Sequence, residues 1–408
     1  MDVSRRIAVT GIGLVTALGA TREESWTRMI AGECGIRPVS VFDPAGYRSR
    51  IAGEVDIQAV DGHLGGLRLR RHSRGDRMGL SAATEAVADA GLSDGTLDLR
   101  RVGIFFGAGT GDLLRNEEFY RTWIASGIDR SKLSDVWNHP LSTPVDVIAS
   151  RFGFEGPRGC VVAACSSSTI AIGRAVEAIR GGRADVVLAG GTDALAHLTF
   201  TGFNLLRLMD TEPCRPFARG RAGMNIGEGA GVLVLESLEH AHRRGARIHV
   251  ELAGHALACE AFHPTAPEPE GRTIALVVSR ALAAGSINAD EVDHVNAHGT
   301  ATLQNDSAEA HGFRRVFGDR VRRLPVTSIK SMVGHCLGAS GAVEAAVLAL
   351  TVARGVIPPT IHHEETDPDC EVSVVANQPR EGRIRCGVST SLGFGGNDSA
   401  LVMRKVDV

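Results

Sequence analysis

Short apolar runs that end at glycines alternate with segments of helical periodicity along the whole chain, and this alternation constrains the fold most. Strand-like runs lie at 6–13, 102–111 and 184–191. Between them, 77–92 repeats its apolar residues near every 3.6 positions and closes at Gly91, and 169–182 closes at two glycines, as amphipathic helices do. Strands interleaved with helices predict an α/β fold with covered sheets.

The two halves of the chain resemble each other. The segment 159–179 passes from a strand through small residues into an alanine-rich helix, and 324–350 repeats this order. Each segment carries a reactive side chain just before its helix, Cys165 in the first and His335 in the second. We therefore predict an internal duplication, with one half at 1–245 and the other at 246–408. No low-complexity linker separates the halves, so we expect them to pack as one unit.

Composition excludes several classes of protein. The net charge of −3 predicts no general attraction to nucleic acid or to an anionic membrane. No apolar stretch approaches 18 uninterrupted residues, so we expect no membrane span. The eight cysteines form no Cys-x-x-Cys pair, which predicts no metal site. Without an export signal at the N-terminus, they are interpreted as reduced thiols of a cytoplasmic protein.

Arginines cluster in two short stretches of the chain. Such clusters are typical of a solvated surface, and they are also what a docking site for an acidic carrier protein would contain. The sequence leaves both interpretations open. The clusters consist of Arg68, Arg70, Arg71, Arg74 and Arg77, and of Arg243, Arg244 and Arg247.

Cys165 lies where a run predicted to be a buried strand turns into a helix. Free backbone N–H groups and the positive end of the helix dipole collect there and favour a thiolate nucleophile. Small neighbours leave room for a substrate. The alternative is a cysteine in ordinary core packing, with Ser166 or Ser168 capping the helix.

Two histidines occupy comparable places in the second half. His298 follows a predicted strand and precedes a glycine, and His335 lies among glycines ahead of a long apolar helix. Taken alone, His298 is more often a satisfied core histidine. Lys330 and Glu344 flank His335, and a buried lysine and glutamate need each other because an unpaired buried charge is costly. Their pairing could also be purely structural.

The C-terminal segment 387–403 reads as two apolar strands around a glycine-rich tip that contains Gly393, Phe394, Gly395 and Gly396. The simplest interpretation is a hairpin turn. The functional interpretation is a gate, with Phe394 as a swinging side chain and the glycines as hinges.

Together these segments resemble the β-ketoacyl-[acyl carrier protein] synthase family of the thiolase superfamily. The resemblance covers nearly the whole chain, and its blocks follow the order found in the family. They read GPRGCVVAACSSS, GRADVVLAGGTDA, CRPFARGRAGMNIGEGAGVLVLE, AFHPTAPEPEG, NAHGTAT, KSMVGHCLGASG and GFGG.

The resemblance implies a five-layered α-β-α-β-α thiolase-like fold and an acyltransferase of the 3-oxoacyl-[acyl carrier protein] synthase type. In such enzymes the cysteine that matches Cys165 accepts an acyl group from a carrier's phosphopantetheine thiol. A malonyl-carrier then loses CO2, and its carbanion attacks the acyl group to give a 3-oxoacyl-carrier. The enzyme itself binds no cofactor. The resemblance also implies a homodimer, with a heterodimer with a chain-length factor as the alternative.

The family assigns further roles by position. His298 and His335 would donate to the enolate oxygen, with Lys330 and Glu344 as their supporting pair. The backbone N–H groups of Cys165 and Phe394 would form a second oxyanion hole, with Gly393 and Gly395 beside it. Thr300 and Thr302 match positions that bind the pantetheine amides, and Thr110 and Phe203 match the acyl pocket.

Three departures from the family pattern concern the substrate. Asp398 stands where many relatives have asparagine, the nucleophile turn Ala-Cys-Ser-Ser-Ser is closer to polyketide enzymes, and Gly223-Met224-Asn225 replaces a commoner glycine–aromatic or glycine–aliphatic pair. They favour polyketide or specialised fatty acid synthesis over housekeeping elongation.

Three rival functions were weighed. A chain-length factor would lack the cysteine, and a degradative thiolase would carry a second cysteine near the C-terminus, where Cys386 is interpreted as core. An acyltransferase without elongation remains the alternative.

Overall fold

The computed structural model describes residues 5–67, 69–92, 97–128, 132, 136–137 and 139–406. These residues form strands and helices that alternate as the sequence predicts. The strands are β1 Ile7–Val15, β2 Ile36–Pro38, β3 Ile51–Gly53, β4 Val102–Gly107, β5 Arg158–Val161, β6 Val186–Asp193, β7 Gly229–Ser237, β8 Val250–Cys259, β9 His294–Asn296, β10 Pro325–Thr327, β11 Val356–Ile357, β12 Ser373–Val374, β13 Arg380–Glu381, β14 Cys386–Gly393 and β15 Asn397–Arg404.

The helices begin and end at local signals. Ser73 and Asp76 form a capping box at the start of α3, and Gly91 takes a left-handed φ of +64° just after its end. The helices are α1 Arg22–Ile30, α2 Ile57–His63, α3 Arg74–Asp89, α4 Leu113–Ser126, α5 Thr143–Phe152, α6 Ser167–Arg180, α7 His197–Leu205, α8 Leu238–Arg243, α9 Arg272–Ala284, α10 Leu303–Phe317, α11 Lys330–Val333 and α12 Ser340–Arg354.

Eleven of the described strands join in one sheet, in the order β12-β10-β9-β14-β15-β8-β1-β7-β6-β4-β5. On one side of the β1–β8 pair, the series β5-β4-β6-β7-β1 has two parallel pairs followed by two antiparallel pairs. On the other side, β10-β9-β14-β15-β8 has the same sequence of pairings. The matching pattern supports two duplicated halves, and we propose the boundary near residue 245, between α8 and β8.

Helices cover both faces of this bent sheet. Helices α6 and α12 lie in the middle and contact strands of both halves, while α3 packs outside the first half and α9 and α10 pack outside the second. The predicted thiolase-like α/β fold with layered helices is confirmed.

One segment, Leu337–Arg354, is long and apolar enough to cross a membrane by length and composition alone. It contains α12, and 89% of it is buried inside the protein. Its apolar residues form the centre of a core cluster that includes Val343, Val347 and Leu350, so it has the packing of a core helix.

Candidate active site

Cys165 lies on a tight turn between β5 and α6. Ala164, just before it, has a left-handed φ of +49°, an uncommon conformation for a residue with a side chain. The strand that leads to this turn differs from the sequence prediction of a buried strand. It is a half-exposed edge strand, and Val162 beside the turn is 58% exposed.

The serines after Cys165 do not cap α6. Ser166 directs its hydroxyl to the carbonyl of Ser391, at 3.0 Å, and makes no capping hydrogen bond. Ser168 accepts from the backbone N–H of Ala342 at 2.9 Å. These contacts tie the turn to β14 and α12, and they leave the N-terminal end of α6 without a side-chain cap, close to the sulfur of Cys165.

Cys165, His298 and His335 meet at the wall of one cavity of about 430 Å³. The sulfur of Cys165 lies 3.0 Å from Nε2 of His335, and the two imidazole rings meet edge to face with centroids 5.2 Å apart. One ligand-type atom from each of the three residues lies within 4.8 Å of the others, a spacing that a metal would also accept. The absence of a metal stays a prediction. The three side chains converge as the sequence predicts.

Hydrogen bonds fix the tautomers of both rings. Nδ1 of His335 accepts from the backbone N–H of Leu337 at 3.2 Å and contacts the Ser340 hydroxyl at 2.7 Å. The ammonium group of Lys330 lies 3.4 Å from Nδ1 of His298. Because Nδ1 is the acceptor in each neutral ring, the proton resides on Nε2. Both histidines therefore present an N–H donor to the cavity.

Burial sets the protonation of the site. It lowers the pKa of His298 and of His335 well below the usual 6.5, and the Lys330 charge acts in the same direction, so both rings are neutral at pH 7. Burial also raises the pKa of the Cys165 thiol to about 11, against the lowering effects of Lys330 and the Phe394 backbone N–H. The helix end that the sequence predicts favours the thiolate, but the burial of the sulfur favours the neutral thiol and has the larger effect on the pKa.

Lys330 and Glu344 form a buried ion pair beside the histidines. Lys330 begins α11 and also donates to the carbonyl of His298 at 2.6 Å. Glu344 lies on α12, where burial raises the pKa of its carboxyl to about 7 although the Lys330 charge lowers it. The pairing predicted from the sequence is present, and it connects α12 to the His298 loop.

The glycine-rich tip, residues 393–396, closes one side of the cavity between β14 and β15. Gly395 and Gly396 have φ values of +83° and +74°, which the turn requires and which favour glycine. The Phe394 backbone N–H donates to the sulfur of Cys165, and the Phe394 ring lies 5.8 Å from that of Phe203. The tip thus touches both the nucleophile and the cavity wall.

Sequence reasoning missed Glu309 and Asp306, two buried acids on α10. Glu309 accepts from the backbone N–H groups of His298 at 2.7 Å and Gly299 at 2.8 Å, and from the Thr390 hydroxyl at 2.6 Å. Asp306 accepts from the N–H of Ala301 at 3.1 Å. Two acids three positions apart, directly after the His298 loop, place both carboxyls on one helix face, and this spacing was the available signal.

The other predicted site residues divide into two groups. Thr300, Thr302 and Phe203 line the cavity, and the two threonine hydroxyls are 3.0 Å apart. Thr110 does not line this cavity: its hydroxyl donates to the carboxylate of Asp193 at 2.6 Å. The placement of Thr110 in an acyl pocket therefore stays a prediction.

The arginine clusters divide between the surface and the interior: Arg71, Arg243 and Arg247 are exposed, while Arg74 and Arg244 are partly buried. Arg74 pairs with the fully buried carboxylate of Glu228 at 2.5 Å, and Arg244 pairs with Glu236 at 2.5 Å. Arg77 pairs with Asp61 and Arg243 with Glu239. Arg68 lies outside the described residues. Arg74 and Arg244 therefore belong neither to a free surface nor to a docking site, because each pairs with a buried carboxylate.

A buried thiol that faces two neutral imidazole donors in a cavity defines a cysteine enzyme that stabilises negative charge on a bound oxygen. Comparison with known proteins agrees. The model of the beta-ketoacyl synthase N-terminal domain matches residues 4–241, and that of the C-terminal domain matches residues 249–364. The chain belongs to the β-ketoacyl synthase family, whose members are acyltransferases.

Three similar proteins show which members of the family the chain resembles. The chain is 37% identical to the tetracenomycin polyketide synthase ketoacyl synthase alpha subunit of Streptomyces glaucescens, over 98% of this chain and 97% of the relative. It is 35% identical to 3-oxoacyl-[acyl-carrier-protein] synthase 2 of Staphylococcus aureus strain N315, over the full length of both. The solved ishigamide ketosynthase/chain length factor superposes with a TM-score of 0.94 at 34% identity, over 99% of this chain and 100% of that one.

Proposed function

We propose that this chain is a ketosynthase that joins an acyl group to a malonyl-derived unit, both delivered by an acyl carrier protein. The observation that supports this most is the convergence of the Cys165 sulfur, Nε2 of His335 at 3.0 Å, and His298 on one cavity. A nucleophile alone would serve acyl transfer. Two additional N–H donors serve a reaction that also develops charge on a second oxygen.

Acyl transfer begins at Cys165. Its sulfur attacks the thioester carbonyl of the acyl-carrier, the new C–S bond forms, and the carrier's phosphopantetheine thiol leaves with the proton that the Cys165 thiol gives up. The backbone N–H groups of Cys165 and Phe394 stabilise the oxyanion of this step. The contact between the Phe394 N–H and the sulfur supports this role, with Gly393 and Gly395 as the hinges beside it.

The second step uses the two imidazoles. The malonyl-carrier loses CO2, and its electron pair passes to the thioester oxygen as an enolate, which His298 and His335 receive with their Nε2–H groups. One donor of this kind is worth about 3–4 kcal/mol. The enolate carbon attacks the acyl group on Cys165, the C–S bond breaks, and a 3-oxoacyl-carrier two carbons longer leaves.

Lys330 and Glu344 act as positioning residues. Lys330 holds the carbonyl and Nδ1 of His298, so the ring keeps its proton on the cavity side. Glu344 neutralises the buried ammonium charge and anchors it to α12.

The substrate arm would reach Cys165 past Thr300 and Thr302, whose hydroxyls suit the pantetheine amides. Phe203 forms part of the acyl-binding wall. The phosphopantetheine arrives on the carrier, and we propose no cofactor held by the enzyme itself. The eight cysteines form no disulfide, which supports work in the reducing cytoplasm.

The pathway we propose is polyketide or specialised fatty acid biosynthesis. The nucleophile turn at 164–168 and the similarity to a polyketide ketosynthase alpha subunit support it. A nearly equal identity to a 3-oxoacyl-[acyl-carrier-protein] synthase supports housekeeping elongation as the second candidate. The number of elongation rounds on one carrier separates them, since a polyketide enzyme extends the chain repeatedly without reduction of the keto groups.

We propose a partner subunit on the basis of exposed apolar side chains on α4, at Trp137 and beside β5, which is an edge strand of the sheet. The exposed fraction is between 44% and 86% for Tyr120, Trp123, Ile124 and Trp137, and it is 58% for Val162. We propose a homodimer, with a chain-length factor as the alternative partner. Light scattering of the protein alone, and after coexpression with a chain-length factor, distinguishes the two.

The experiment that tests the reaction compares three proteins. Wild type, incubated with acyl-carrier and malonyl-carrier, is expected to release CO2 and yield a carrier product longer by two carbons. Cys165→Ala is expected to lose acylation, and Cys165→Gln to lose acylation while keeping malonyl decarboxylation. Cys34→Ala, a change at a half-buried cysteine outside the cavity, is the matched control. Acyl transfer by wild type without CO2 release would establish the acyltransferase instead.

A further inference from the structure

The gate, residues 393–396, rests on the segment 259–268 that follows β8. The N–H of Glu260 donates to the carbonyl of Gly396 at 2.9 Å, and the N–H of Gly395 donates to the carbonyl of Pro264 at 2.8 Å. The fit is close, because a Cβ on Gly396 would lie 2.9 Å from the Cβ of Glu260. The position of this segment therefore controls the position of the gate.

Two carboxyl groups meet at this contact. Asp398, two residues after the gate, is 2% exposed, and its side chain hydrogen-bonds with that of Glu260. Within the part of the chain that the structure describes, no N–H or O–H donates to Oε1 of Glu260 or to Oδ2 of Asp398, and both atoms are buried. Two carboxyl groups that hydrogen-bond with each other, and whose buried oxygens have no other donor, require a shared proton.

Among the described residues, the strongest electrostatic influences on the pair include no cation. The backbone N–H of Glu268 donates to the second Glu260 oxygen at 3.0 Å. Glu309 of α10 and Cys259 add to the negative potential at Asp398, and Glu268 adds to it at Glu260. The other titratable groups that line the same cavity are Arg207, His263, His298, His335 and Cys165.

We propose that Glu260 and Asp398 share one proton and thereby latch the gate, holding the Phe394 N–H on the sulfur of Cys165. Removal of that proton places two negative charges in contact and releases the gate. This inference rests on the proposed function only for the role of the Phe394 N–H. Both groups are positioning residues, since they act on the reaction through the gate.

The direction of the pH dependence follows from the burial of the pair. Burial, and after it the neighbouring Glu260, raise the pKa of Asp398 to about 9, and burial also raises the pKa of Glu260. At pH 7 the pair therefore keeps a proton, and the latch is closed. As the pH rises through about 9 the proton leaves and the latch opens. An amide at position 398 would donate to Glu260 without titrating.

The first test is independent of the reaction. Infrared spectra of the full-length protein at pH 7 and pH 10 are compared between wild type and Asp398→Asn. Other buried acids such as Glu344 contribute to both spectra, so the wild-type-minus-variant difference is measured. We expect this difference to contain the band of a protonated carboxylic acid at pH 7 and to lose it at pH 10. Two ionised carboxylates at pH 7 would overturn the proposal. Glu260→Gln gives the same test from the other partner if Asp398→Asn does not fold.

The second test measures the gate. The rate of acyl transfer to Cys165 is determined from pH 7 to pH 10 in wild type and in Asp398→Asn, and the ratio of the two rates removes the shared effect of thiol ionisation. Loss of one oxyanion donor costs about 10²–10³ in rate, so we expect the ratio to fall at least about tenfold as the pair loses its proton. Glu270→Gln, a change at an exposed carboxylate outside the cavity lining, is expected to follow wild type.

A ratio that stays constant with pH would overturn the latch. Failure of wild type to accept any acyl group would instead contradict the proposed function, and the infrared titration would still decide whether the two carboxyls share a proton.

Discussion

Gly107, the last residue of β4, packs against the start of α6 and so helps to position Cys165. We predict that its replacement by alanine displaces the sulfur. A Cβ at this position would lie 2.1 Å from the backbone nitrogen of Ser168 and 2.4 Å from the carbonyl carbon of Ser167. An ordinary contact needs at least about 3.4 Å, so the start of α6 must move by about 1 Å. Both clashing atoms belong to backbone that begins two residues after Cys165, so the sulfur moves with them.

Two effects of different size follow from this movement. Forcing a methyl group into a packed core costs about 1–3 kcal/mol of unfolding free energy. A displacement of about 1 Å in a reacting group costs about 10²-fold in rate. We therefore expect Gly107→Ala to remain folded but to acylate Cys165 about a hundredfold more slowly.

The assay combines urea unfolding with single-turnover acylation followed by mass spectrometry. Gly62→Ala, where a Cβ on α2 meets no atom within 4 Å, is the control and should load at the wild-type rate. If Gly107→Ala acylated Cys165 at the wild-type rate, the position of α6 would not determine the position of the sulfur, even if the unfolding free energy fell.

Three further predictions concern charge and packing. The rate of alkylation of Cys165 by iodoacetamide should keep rising up to a pH of about 11, because burial raises the pKa of its thiol to that value. A rate that stops rising below pH 9 would show that the end of α6 lowers the thiol pKa more than burial raises it. Glu309→Ala should lower the unfolding free energy by about 1–3 kcal/mol, because the N–H of Gly299 loses its acceptor and that of His298 keeps only the Thr390 hydroxyl. Glu309→Gln should lower it by less, and equal losses in urea unfolding would argue against this. Arg74→Met should cost about 3–5 kcal/mol by leaving Glu228 buried and unpaired, with no change in acylation per folded molecule; an unchanged urea midpoint would contradict the structural role.

The sequence predicted the elements and the reactive side chains well, because both are local. Alternating periodicity and glycine ends located the main strands and helices, and the residues around Cys165, His298 and His335 were recognisable in short motifs. The convergence of these three side chains depends on long-range contacts. Cys165 and His335 are 170 residues apart and meet because α6 and α12 pack together in the middle layer.

What the sequence could not give depends on three-dimensional surroundings. The tautomer of His335 is set by the N–H of Leu337, and the raised pKa of Cys165 by its burial. Arg74 belongs to a sequence cluster that looks like a basic surface, yet it pairs with Glu228, 154 residues away. The run before Cys165 is apolar enough for a buried strand, but it lies at the sheet edge, where exposure depends on neighbours that the sequence does not specify.

If Cys165, His298 and His335 together form a carbon–carbon bond, the mass of the peptide that contains Cys165 must change in two steps. After a single loading with acyl-carrier, we expect an acyl adduct on Cys165. On addition of malonyl-carrier the adduct should disappear, one CO2 should be released for each adduct lost, and the acyl group should reappear on the carrier lengthened by two carbons. An adduct on another residue, or loss of the adduct without CO2, would contradict the account.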